Sequence, residues 1–154
     1  MLKRSVMSKI VFLDIDGVLN GIAYQMAATE EPPFIDESRL PILMDIINKS
    51  GAQVVLSSSW KRGWEAGSGF DLVFRQAGID IYDVTPNLGR KYTEITAWLK
   101  AHPDTEHFVI LDDAEGGWGE LLPHVIITDP IHEKGLENKH ISYALQVLEK
   151  TQTI

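Results

Sequence analysis

Between Ile10 and Leu19 the chain reads IVFLDIDGVL, an apolar run that ends abruptly in two aspartates. Ile10, Val11, Phe12 and Leu13 form a continuous apolar stretch with two β-branched members, the pattern of a strand covered on both faces in a parallel sheet. Asp14 falls at its C-terminal end, the edge at which open α/β sheets bind ligands. Asp16 follows two residues later, and Gly17 lets the backbone turn sharply while staying close to a ligand. Asp-Gly is also an ordinary turn signal, so this segment alone leaves a strand-ending turn and a metal or phosphate site both open.

Two further apolar runs end in polar groups that fit phosphoryl chemistry. Val54, Val55 and Leu56 lead directly into Ser57, Ser58 and Ser59, then Trp60, Lys61 and Arg62. Hydroxyls at a strand end can hold a phosphoryl oxygen, but serine is also a common helix N-cap; three serines leave room for both uses. Phe108 to Leu111 ends in Asp112 and Asp113. Adjacent acids at a buried strand end repel each other, and a cation relieves them; magnesium takes one or two carboxylates together with phosphate and water oxygens.

Taken in order, these motifs resemble those of the haloacid dehalogenase (HAD) superfamily. Asp14-Ile15-Asp16-Gly17-Val18 looks like its first motif, Ser57 like the second, Lys91 like the third and Leu111-Asp112-Asp113 like the fourth. Within the superfamily, the strings LDIDGVLN, LSSSW and KYTEI followed by Trp98-Leu99 are similar to domains found in RNA-repair proteins. The resemblance implies a magnesium-dependent phosphohydrolase that works through an aspartyl-phosphate intermediate. A carboxylate is already ionised at neutral pH and is a known phosphoryl acceptor, so Asp14 is the expected nucleophile. Asp16 is the expected acid/base, with its backbone carbonyl on the metal. Ser57 and Lys91 are expected on the phosphoryl group, and Asp112 and Asp113 complete the Mg2+ ligand set with Asp14 and Asp16. Gly17, Ser58 and Lys61 are expected to touch the substrate. Lys91 taken alone reads as a solvated lysine at a helix start; its place 21 residues before Asp112, in the family's order, assigns it to the site.

The 154 residues fit one HAD-like domain spanning 1–154. The absence of cysteine excludes disulfides, thiolate metal sites and cysteine nucleophiles. No apolar stretch approaches the roughly 18 residues of a membrane span, and the start carries no signal-peptide pattern, so the expectation is a cytoplasmic protein that does not enter membranes. A net charge of −8 argues against loose electrostatic binding of nucleic acid, while a local basic patch can still grip a phosphorylated end.

Alternating strand and helix patterns predict a three-layer α/β/α, Rossmann-like parallel sheet of about five strands. After the first strand comes an irregular stretch from Asn20 to Glu37, then a helix through Leu40, Leu43, Ile46 and Ile47 closed by Gly51. A strand at 53–57 precedes a helix carrying Phe70, Val73, Phe74 and Ala77, with 64–69 as a loop. Residues 79–84 read as an edge strand because of Asp80 and Asp83. A helix from about Tyr92 to His102 ends at Pro103. Strands at 107–111 and 124–128 flank a short helix near 117–122, and a last helix at 137–150 buries Ile141, Ala144, Leu145 and Leu148.

Neither the 18 residues of 20–37 nor the 31 residues of 60–90 hold a large cap domain. An open site suits a large phosphorylated substrate such as a nucleic-acid end or a phosphoprotein. A small-molecule ester would need a lid from the 20–37 loop or a partner chain. Trp60 and Trp64 read as core or hinge packing in preference to base stacking. The histidines, His132 and His140 among them, lack metal-ligand spacing and take surface or strand-end roles. Two other readings are a receiver-like phosphoryl-accepting signalling domain and a catalytically silent HAD-like binding domain. The position of Asp-x-Asp-Gly on the first strand disfavours the former, and the complete acid set disfavours the latter.

Overall fold

The computed structural model describes residues 8–27, 35–128 and 134–149. Five parallel strands form one sheet: β1 (Ser8–Leu13), β2 (Gln53–Leu56), β3 (Ile81–Val84), β4 (Thr105–Asp112) and β5 (Val125–Ile127), in the order β3-β2-β1-β4-β5. That order reverses next to β1, which places the topological switch point between β1 and β4. A receiver domain has the flavodoxin-like order 2-1-3-4-5, with its third strand at the centre. Here the first strand is central, so the receiver-like reading is overturned by topology.

Alternation along β1 builds both faces of the core. Val11 and Leu13 join one buried cluster with Leu43 and Ile46 of α2 (Leu40–Ser50), Phe74 of α3 (Asp71–Gln76), and Ala144 and Leu148 of α5 (Lys139–Glu149). Ile10 and Phe12 face the opposite way and pack with Ile95 and Trp98 of α4 (Lys91–Ala101) and with Phe108, Ile110 and Trp118. There the Phe12 ring meets Trp98 edge-on at 5.4 Å and Phe108 at 5.8 Å. Ile10, Val11, Phe12 and Leu13 are all fully buried, as a strand covered on both faces requires. Gly51 closes α2 in the left-handed conformation at φ 75°, its N–H donating to the Ile47 carbonyl. The edge position of β3 is as expected, and Asp83 there accepts a hydrogen bond from Trp98 Nε1 at 2.8 Å.

Several local expectations are corrected. The 20–37 stretch contains a six-residue helix, α1 (Ile22–Ala27), and leads into a 3-10 turn at Glu37–Arg39. No residue of α1 is buried, which is why apolar periodicity did not mark it. Residues 28–34, the centre of the supposed lid, lie outside the described residues, as does His132. The short helix near 117–122 is a 3-10 turn at Gly119–His124, with Pro123 inside it. In α5 the buried residues are His140, Ala144 and Leu148, while Ile141 and Leu145 are half-buried. His107, His124 and His140 are buried, so none has a surface role; His124 stands directly before β5 and stacks on the Phe108 ring at 3.9 Å. Burial holds the His124 pKa below its usual value, partly offset by a hydrogen bond to the Phe108 carbonyl.

Lys61 is the largest departure from the sequence reading. It lies in the 3-10 turn Ser59–Gly63, yet its ammonium is buried and bonded to Glu94 Oε1 at 2.6 Å and Thr85 Oγ1 at 3.0 Å. Glu94 Oε2 accepts the backbone N–H groups of Leu88 and Gly89. Burial opposes ionisation of Glu94, but the bonds from Lys61 and Leu88 outweigh it and hold the carboxyl below its ordinary pKa. The pair ties the turn after β2 to the loop that enters α4. Lys61→Met should cost about 3–5 kcal/mol, because the Glu94 charge stays buried without its partner. Chemical denaturation checks this, and the double variant Lys61→Met/Glu94→Leu should recover part of the loss. A single variant as stable as wild type would contradict the structural role.

Candidate active site

The strand register brings the polar ends together. Leu13 pairs with Leu56 on one side and with Leu111 on the other, so Asp14, Ser57 and Asp112 stand level at the C-terminal edge of three neighbouring strands. The ladder continues through them: Asp14 N donates to the Leu111 carbonyl at 3.0 Å, and Ser57 N to the Leu13 carbonyl at 2.9 Å. Asp14, Ser57 and Asp112 are all buried.

Lys91, the first residue of α4, reaches across this edge. Its Nζ lies 2.9 Å from Asp14 Oδ2 and 2.5 Å from Asp112 Oδ2. Asp112 Oδ1 accepts the Ala114 N–H at 2.9 Å, which fixes the carboxylate plane. Gly17, at φ +83°, is where Asp113 comes in: a Cβ on this glycine would overlap the Asp113 carboxylate. One carboxylate oxygen from each of Asp14, Asp112 and Asp113 fits within a span of 4.8 Å, so these three side chains can hold a metal ion.

The electrostatics are unbalanced in a way that favours a cation. Burial, together with the nearby Asp112 charge, pushes the Asp14 pKa up to about 7, against the lowering influence of Lys91. Asp113 is raised for the same two reasons, burial first and Asp112 second. Burial works against the charge on Lys91, but the Asp14 and Asp112 carboxylates outweigh it and hold its pKa above the usual lysine value. One ammonium therefore faces three carboxylates, and it does not neutralise them.

Ser57 supplies an independent sign of a ligand. Its Oγ is buried and makes no hydrogen bond among the described residues, an arrangement that is costly unless something binds there. Ser58 takes the capping role: its Oγ accepts the Trp60 N–H at 3.1 Å at the start of the 3-10 turn. The groups expected to touch the substrate at Ser58, Gly17 and Lys61 each have a partner within the protein. The Ser58 acceptor is used by the turn, and the Gly17 N–H donates to the Asn20 carbonyl and Oδ1. The Lys61 ammonium is held by Glu94 and Thr85.

The Asp16 side chain stands apart from the three-carboxylate group. It is the one exposed residue between Val11 and Asn20. Its Oδ1 accepts from Asn20 Nδ2 and its Oδ2 from Trp60 Nε1, each at 3.1 Å. Beside Lys91 a cavity of about 260 Å³ opens, lined among others by Arg90, Tyr92, Gly116, Gly117 and Trp118.

The family model described as "HAD domain in Swiss Army Knife RNA repair proteins" matches residues 10–141, from β1 into α5. Neither the curated proteins nor the solved structures give a significant match. The level strand ends of Asp14, Ser57 and Asp112, the bridging Lys91 and the match over most of the chain place this protein in the HAD domain family of Swiss Army Knife RNA repair proteins.

Proposed function

We propose that the protein is a magnesium-dependent phosphohydrolase in which Asp14 accepts the phosphoryl group. The observation that carries this reading is the conjunction of the Asp14, Asp112 and Asp113 carboxylates with the Lys91 ammonium and the unpartnered Ser57 hydroxyl at one sheet edge. When bound, magnesium would supply positive charge that offsets the repulsion between the attacking carboxylate and the phosphoryl group. Asp14, Asp112 and Asp113 would hold it, together with the Asp16 backbone carbonyl.

Asp14 is suited to attack because its carboxylate is fixed at the central strand end by Lys91. Its oxygen forms a bond to phosphorus while the bond to the leaving oxygen breaks, giving an aspartyl phosphate. Lys91 neutralises charge on the transferring group, and the Ser57 hydroxyl donates to one of its oxygens. Asp16, exposed and outside the three-carboxylate group, protonates the leaving oxygen. It then takes a proton from the water that hydrolyses the acyl phosphate. The cavity beside Lys91 gives the leaving group a place, with Arg90 on its wall.

The substrate class we infer is a phosphorylated nucleic-acid end. No large cap interrupts the described chain between β1 and β2 or between β2 and β3, which supports a bulky substrate. The family's own description places such domains in RNA repair proteins.

Asp14→Asn should reduce hydrolysis of an aryl phosphate to below about 10⁻³ of wild type with an unchanged circular dichroism spectrum. Full turnover in that variant would remove the covalent mechanism. Asp16→Asn should lose about 10²–10⁴ in rate while Asp14 remains competent. Rapid-quench labelling with an activated phosphoester should then trap phosphoenzyme in Asp16→Asn and none in Asp14→Asn; label mapped to Asp16 would refute the division of roles.

Magnesium should also act on stability in a pH-dependent way. The folded pKa of Asp14 lies above its ordinary value of 3.8, so its contribution to folding is complete below about pH 4 and is lost as pH rises through about 7. A bound cation reverses that loss by favouring the ionised form. Thermal unfolding with magnesium and with a chelator should therefore show a larger stabilisation at pH 8 than at pH 5. Equal stabilisation at both values, or none, would contradict the site.

A further inference from the structure

We propose that Trp60 is a positioning residue: its indole N–H, opposite the Asn20 amide, clamps the Asp16 carboxylate in the orientation that proton transfer requires. The inference rests on the reading of Asp16 as the acid/base and adds residues that this reading does not assign.

An exposed aspartate ordinarily rotates freely, and Asp16 is the exposed residue of an otherwise buried segment. Here each of its oxygens is held from a different side. Trp60 Nε1 donates to Oδ2 and Asn20 Nδ2 to Oδ1, both at 3.1 Å. A carboxylate oxygen has two acceptor positions, so one N–H on each oxygen fixes the plane and still leaves a position free for proton exchange. General acid–base catalysis depends on that geometry before anything else.

Both clamping groups are themselves held. The Trp60 backbone N–H donates to Ser58 Oγ, and its ring packs edge-on against Phe70 at 5.4 Å with an interplanar angle of 88°. Asn20 is fully buried; its Oδ1 accepts from the Gly17 N–H and from Gln25 Nε2. Gln25 Nε2 also bonds the Asn20 carbonyl at 2.7 Å. Trp60 lies three residues after Ser57, so one short segment carries both the unpartnered hydroxyl and the clamp on the acid/base. Position by position, Ser57 faces the phosphoryl group, Ser58 caps the turn and Trp60 reaches back to Asp16.

Trp60→Phe keeps an aromatic ring against Phe70 and deletes the N–H. Wild type, Trp60→Phe, Asp16→Asn and the double variant are compared with an aryl phosphate and an alkyl phosphate, by steady-state kinetics and by rapid-quench measurement of phosphoenzyme breakdown. The expected result for Trp60→Phe is a kcat lower by about 10-fold, KM within about twofold, a larger loss on the alkyl ester and accumulated phosphoenzyme. In the Asp16→Asn background the same change should slow breakdown no further, because Trp60 acts through Asp16. Equal losses in both backgrounds would show general packing and overturn the proposal; so would a raised KM with unchanged kcat, which would assign Trp60 to substrate contact. If Trp60→Phe does not fold, benzothienylalanine at position 60, an isostere without the N–H, replaces it in the same comparison. A wild type that forms no phosphoenzyme overturns the phosphohydrolase reading and this inference together. A wild type that does, matched by Trp60→Phe in every rate, overturns this inference alone.

Discussion

Three carboxylates crowd the ends of two neighbouring strands against a single ammonium, and the rest of the site is arranged around that imbalance. Asp14 and Asp112 end up side by side because β1 and β4 pair in register, and Lys91 is bonded to both. Burial makes each charge expensive, which is why Asp14 is pushed to about 7 while Lys91 stays firmly protonated. A protein gains nothing in stability from such an arrangement. The function we propose accounts for it: a cation would bring positive charge, and a phosphoryl group would use both that charge and the nucleophile.

Precision at this edge comes from elements that touch no reacting group. β1 is covered on both faces, so Asp14 projects from the end of a close-packed strand. The buried Lys61–Glu94 pair fastens the turn after β2 to the loop that starts α4, and α4 begins with Lys91. Asp71 plays a comparable part for the 64–71 segment, accepting Trp64 Nε1, the Gly67 N–H and Arg75 Nε. Burial opposes its charge, but these three bonds outweigh it and hold the carboxyl below its ordinary pKa.

The parts of this design that were legible in the sequence are those with a short-range signature. Apolar runs ending in Asp14, Ser57 and Asp112 announced a parallel sheet and a polar edge, and the helix over Leu40, Leu43 and Ile46 was marked by period and by Gly51. Lys61, Trp60 and Asn20 were not legible, since their meaning depends on partners 33, 44 and 4 residues away that no local pattern specifies. A lysine just past the serines of a strand end reads as a substrate contact; only the fold reveals Glu94 opposite it. Helix α1 escaped for the opposite reason, having no buried face to impose a period.

The central claim is that Asp14 accepts a phosphoryl group within the reach of Ser57 and Lys91. A crystal structure of the protein with magnesium and beryllium trifluoride, which mimics an acyl phosphate on a carboxylate, tests it most directly. The account predicts beryllium bonded to an Asp14 oxygen, fluorines at Ser57 Oγ and Lys91 Nζ, and magnesium on Asp14 and Asp112. Beryllium trifluoride on Asp16, Asp112 or Asp113, or a site that binds magnesium and leaves Asp14 unmodified, would contradict it.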